Sequence, residues 1–171
     1  AALHPQVTVE LLTDSRFLSL SRREADLAFR IRPFVEPDVV SRKLMHVAYG
    51  VYVRTGDAHL IADDDGAGAT LVTLEASFAG IPDDTWLQKQ LPRARAVFRT
   101  NSRDVQARMC RLGVGVAVLP VPLGESTAGI ERVHIGGEPP GRDTWVGYHR
   151  DLRRLGRLQA LLDLVVARLA N

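Results

Sequence analysis

Leu112-Gly113-Val114-Gly115-Val116-Ala117-Val118-Leu119-Pro120 is the stretch on which the fold turns. Gly113 stops the helix before it, and Val114 to Leu119 is a short, continuous apolar run closed by Pro120. A strand with one wet face alternates apolar and polar residues; an unbroken run of this kind suits a strand covered on both faces, as in a parallel sheet flanked by helices.

Working outward, Thr100-Asn101-Ser102 supplies cap-type side chains for a helix carrying Val105, Met109 and Leu112, and Ala94 to Arg99 reads as the strand that feeds it. Leu71-Val72-Thr73-Leu74 is another strand, and Asp83-Asp84-Thr85-Trp86-Leu87 has the acidic start of a helix. Nearer the front, Val7 to Leu12 suits a strand, Thr13-Asp14-Ser15-Arg16 a cap for a helix through Phe17, Leu18 and Leu20, and Asp26 to Arg32 a second strand ended by Pro33. Val39 to Val53 is rich in Val and Tyr and reads as extended. Trp145 to His149 is the last strand, and from Asp151 onward Leu152, Leu155, Leu158, Leu162, Val165 and Leu169 recur at helical spacing. Strands alternating with helices predict an α/β fold with mostly parallel sheets, and resumption of the pattern after a long extended segment predicts two lobes.

Composition agrees with a folded chain. Of 171 residues 46% are hydrophobic and 25% charged, ordinary globular usage, and 22 Lys+Arg against 20 Asp+Glu leave no basic excess that demands nucleic acid. Cys110 is the single cysteine, so neither an internal disulfide nor a cysteine-built zinc site can form, and a reducing cytoplasm is the natural setting. No stretch reaches the roughly 18 apolar residues needed to span a bilayer, and nothing marks the chain for export or for a membrane partner. Ala1-Ala2-Leu3-His4-Pro5 lacks an initiator Met and reads like the end of a helix stopped by proline, as in an excised fragment.

Catalytic chemistry finds no anchor. There is no Gly-Lys-Ser/Thr phosphate loop, no glycine-rich dinucleotide turn and no serine between glycines at a strand-to-helix turn. His4, His46, His59, His134 and His149 are scattered without metal-ligand spacing, and Asp63-Asp64-Asp65-Gly66 lacks the further oxygen ligands and closing glutamate of a calcium loop, so neither metal nor cofactor is expected. Cys110, beside Met109 on the apolar side of its helix, reads as a small hydrophobe, and Arg153, Arg154 and Arg157 as a solvated helix face. Two features suit a small anion: the helix start after Thr100-Asn101-Ser102, with its amide donors and hydroxyls, and Arg30 and Arg32 at a strand end. Ordinary capping and surface solvation compete with that use. The residues alone describe an α/β binding fold.

Read in order, His4-Pro5-Gln6-Val7-Thr8-Val9-Glu10-Leu11 and Ala25-Asp26-Leu27-Ala28-Phe29-Arg30 resemble the regulatory domain of LysR-type transcription regulators, whose members run P-x-V-x-L-x-L and later D-L-A-I-R. Arg42-Lys43-Leu44 before a Val/Tyr-rich strand, Thr100-Asn101-Ser102, Leu112 to Pro120, and Trp145 to Asp151 before a Leu-rich helix continue the likeness over nearly the whole chain. It implies two Rossmann-like lobes joined by crossover strands, as in type 2 periplasmic binding proteins, with residues 1–49 and 138–171 in the first lobe and 50–137 in the second. It also implies a small effector, an anion on the reasoning above, in a cleft lined by Thr13, Ser15, Arg16, Arg30, Arg32, Ser77, Phe78, Thr100, Asn101 and Ser102, and no catalysis. By the same likeness the parent protein is a homodimer or tetramer and touches DNA only through a winged helix-turn-helix domain outside this chain. The front departs from the family pattern, where a further strand and helix are usual. A dimerisation scaffold without a ligand, an exported solute-binding protein and a small enzyme on the same scaffold are the competing readings.

Overall fold

The computed structural model describes residues 4–13, 16, 18–61, 64–76 and 80–169. It divides into two units, 1–46 with 143–171, and 47–142.

In unit 47–142, β3 (Tyr49–Arg54) is the centre of a three-stranded sheet, with β6 (Ala117–Pro120) on one side and β7 (Ile130–Val133) on the other, both antiparallel to it. Beside them β4 (Thr70–Leu74) and β5 (Arg95–Thr100) pair in parallel, and a parallel bridge from Leu71 to Val116 links β4 to the chain entering β6. The expected mostly parallel arrangement is therefore corrected to a mixed one. An apolar run reports burial on both faces, which β6 has, and carries no information on the direction of its neighbour.

Both faces are covered by helices. Val51, Val53, Leu71, Val116 and Val118 pack with Leu87 of α1 (Pro82–Gln90) and with Leu91, the residue that caps its C-terminal end, whereas Tyr52, Val72, Ala117 and Leu119 pack with Ala107 and Cys110 of α2 (Arg103–Arg111). Alternate residues of each strand supply alternate faces, which is why the continuous runs are needed. Gly113, at φ +75°, ends α2: its amide donates to the carbonyl of Cys110, and the Val114 amide to that of Met109, before the chain turns into β6. A short helix, α3 (Val121–Ser126), follows Pro120 directly. It and β7 were not foreseen, although Pro122 in the first helical turn is an ordinary start signal for α3.

In the other unit the sheet order is β1 (Ala28–Arg30), β8 (Arg142–His149), β2 (Val39–Val47), with β1 antiparallel to β8. Leu44, Val146 and Tyr148 meet Leu158 and Leu162 of α4 (Gly156–Leu169) to form its core. Three expectations are corrected here. Val7 to Leu12 pairs with no strand among the described residues, and Val9, Leu11 and Leu12 are exposed, Leu11 to 79%. The described residues from Arg16 to Glu24 form turns, with Arg23 at φ +58°, and not a helix. The final helix starts at Gly156 because Arg150–Arg154 forms a separate 3-10 turn, so Asp151 does not lie at its acidic start. Among the described residues no helix is long and apolar enough to cross a membrane.

Candidate functional site

The parallel strands β4 and β5 end at Leu74 and Thr100, and the chain leaving β5 runs straight into α2. The C-terminal end of parallel strands, where helix N-termini collect, is where open α/β sheets take ligands. Thr100 Oγ1 accepts the amide of Ser102 at 3.2 Å, and Ser102 Oγ accepts the amide of Val105 at 3.4 Å as the cap of α2. Asn101 is exposed. Short polar side chains fold here because they satisfy amides that a helix start leaves unpaired.

Behind this turn lies a cluster that sequence reasoning missed. Asp83, the second residue of α1, is fully buried; one oxygen pairs with Arg103 of α2 and the other with Arg142, the first residue of β8. Arg103 also donates through Nη1 to Gln106 Oε1 at 3.0 Å and to the Val118 carbonyl at 2.8 Å. Both guanidinium carbons stand 5.4 Å from the centre of the Tyr49 ring. Burial pulls Arg103 below the ordinary arginine value, opposed by Tyr49 and Asp84. Asp84 instead accepts the Leu74 amide at 3.1 Å and the Gln88 side chain at 2.8 Å. Two guanidiniums thus meet the buried Asp83 carboxylate close to the amide-rich start of α2, and Asp84 also acts on Arg103.

Of the residues expected in unit 1–46 with 143–171, Thr13, Arg16 and Arg32 are exposed. Arg30 is a scaffold contact: its guanidinium donates to both oxygens of Glu36, at 2.9 and 3.2 Å, and to the Leu18 carbonyl at 2.9 Å, and lies 4.2 Å from the centre of the Phe34 ring. The exposed strand-end arginine of the sequence reading is thus Arg32 alone, because Arg30 is drawn in by Glu36. Ser15, Ser77 and Phe78 lie outside the described residues. Among the described residues no group of three His, Cys, Asp or Glu side chains is gathered for a metal ion.

A family model described as LysR substrate binding domain matches residues 1–170. No curated protein matches. Among solved structures, CrgA from Neisseria meningitidis, a LysR-type transcriptional regulator, superposes with a TM-score of 0.79 at 16% identity, over 99% of this chain and 61% of that one. The CrgA regulatory domain gives a TM-score of 0.79 at 15% identity, over 98% and 87% of the two chains. The Synechocystis PCC6803 CcmR regulatory domain in complex with 2-PG gives 0.63 at 18%, over 89% and 77%. The chain therefore spans about three-fifths of the first of these relatives.

Proposed function

The chain belongs to the LysR substrate-binding family, the effector-binding regulatory domain of LysR-type transcription regulators with a periplasmic-binding-protein-like fold, and from that premise we propose that its effector is a small anion held at the start of α2. One observation carries the placement: the capped turn Thr100-Asn101-Ser102 with the two guanidiniums of Arg103 and Arg142 behind it. Amide donors, hydroxyls and a partial positive charge at a helix start all select negative charge, and the guanidinium of Arg103, the first residue of α2, adjoins them. Thr13, Arg16 and Arg32 are kept as further candidate contacts on their exposure.

No bond is made or broken in this role. The effector favours one arrangement of the protein over another, and the bias is passed to DNA-binding domains of a longer, cytoplasmic, oligomeric regulator. A thermal-shift panel of small carboxylates, aromatic acids and 2-PG, the compound in the CcmR structure, tests the reading. A concentration-dependent rise in the midpoint with at least one anion, absent with its neutral amide or ester, is expected. No rise with any member defeats it.

A further inference from the structure

Asp83, Gln106 and Thr73 are buried polar side chains, and the first two both hold Arg103. A helix start does not need a buried acid, since Asp84 already serves as the acid bonded to the Leu74 amide. Burying Asp83 carries a desolvation cost that only good partners offset. Those partners come from two distant elements. Arg103 is the first residue of α2, adjoining the cap Ser102, and Arg142 is the first residue of β8 and the last of unit 47–142. Asp143, the next residue, accepts from Lys43 Nζ and pairs with His46 Nδ1 in the other unit, each at 2.8 Å.

We infer that Asp83 is a positioning residue that couples the first turn of α2 to the strand by which the chain leaves unit 47–142. One carboxylate charge is shared by two guanidiniums, so a change in its hold on Arg103 alters its hold on Arg142, and the low dielectric around it keeps that exchange from being screened away. Resting on the reading above, an anion at the start of α2 that draws on Arg103 leaves more of Asp83 for Arg142 and tightens the start of β8.

Hydrogen exchange on the whole chain tests this in both directions. Arg142→Gln is expected to speed exchange of the Val105 and Gln106 amides at least tenfold, and Arg103→Gln that of the amides from Asp143 to Trp145 at least tenfold, with α4 unchanged. Arg142→Lys, which keeps the charge without the planar fork, should bring Val105 and Gln106 back to within threefold of the parent. Should Arg142→Gln not fold, Arg142→Lys against Asp83→Glu gives the same comparison on milder changes. Effects confined to the substituted element, or spread evenly over unit 47–142 as loss of a merely structural pair would be, overturn the coupling. Inorganic phosphate is the probe for the last arm: in the parent it should slow exchange both at α2 and at the start of β8. Protection at α2 without protection at β8 overturns the coupling, whereas no protection at α2 counts against the anion reading and leaves the substitutions to decide the coupling.

Discussion

The Cys110 thiol donates to the carbonyl oxygen of Tyr52 at 3.2 Å, tying the last turn of α2 to the central strand β3. The side chain is fully buried, and burial pushes its pKa up to about 12. A thiolate is the reactive form of cysteine, so Cys110 is expected to resist a soluble disulfide reagent in the folded protein. Labelling should follow global unfolding across a urea series. Full labelling in water within minutes would show that α2 opens on its own.

Gly124 of α3 sits against the Tyr52 ring so closely that a Cβ there would lie 2.0 Å from Cζ. Neither a helix backbone nor a buried ring backed by β3 has room to move, so Gly124→Ala should cost at least about 2 kcal/mol, in the range of overpacked cores. At Gly68 nothing lies within 4 Å of the built Cβ, and Gly68→Ala should change stability by less than about 1 kcal/mol. Paired urea melts of the two variants give the comparison.

Ser102 has two jobs that separate in measurement. As the cap of α2 its loss in Ser102→Ala should lower stability by about 1 kcal/mol, toward the small end because the bond to Val105 is 3.4 Å long. As an effector contact its loss should weaken anion binding by about 1.5–3 kcal/mol, tenfold or more, while Arg153→Ala, in the 3-10 turn of the other unit, leaves affinity unchanged. If Ser102→Ala, Asn101→Ala and Arg32→Ala all bind an identified effector within twofold of the parent by calorimetry, the site lies elsewhere.

Glu36 is held below the usual glutamate range: burial works against this, but hydrogen bonds from the backbone and from Arg30 outweigh it. A depressed folded-state value means the pair contributes in full above the unfolded carboxylate range, near pH 4.3, and that the contribution is lost as pH falls through the lowered value. Asp143 behaves the same way, lowered first by Lys43 and then by His46. Glu36→Gln should cost about 1 kcal/mol at neutral pH, discounted because 27% of the side chain stays in water, and should flatten the fall in melting temperature between about pH 5 and pH 3. An unchanged acid limb would show that the pair adds nothing to stability.

Local patterns were legible in the chain and long-range pairings were not. Thr100-Asn101-Ser102, Gly113 and the run to Pro120 marked the ends of α2 and the position of β6, because caps, stops and burial on two faces are written in adjacent residues. Asp83 and Asp84 looked alike, two acids at a helix start, yet one is buried between arginines from other elements and the other bonds its neighbours; a rotation of one residue about the helix axis decides which. Arg103 and Arg142 carried no signal of their own, since their role exists only once α1, α2 and β8 share a carboxylate. Val7 to Leu12 had the composition of a strand, but propensity supplies no partner, and none is present among the described residues.

The middle strand of the sheet formed by β1, β8 and β2 is supplied from the far end of the chain. During synthesis, Ala28–Arg30 and Val39–Val47 emerge long before Arg142–His149, so that sheet must wait with a gap at its centre while the whole of unit 47–142 is made. Closing so long a loop costs entropy that a contiguous segment never meets, which predicts an order of events on the ribosome: the inserted unit matures first, and the discontinuous one locks only when β8 arrives. A nascent chain ended at residue 142 and carried clear of the ribosomal exit tunnel by a flexible linker should already protect Cys110 from labelling while leaving β1 and β2 open to protease.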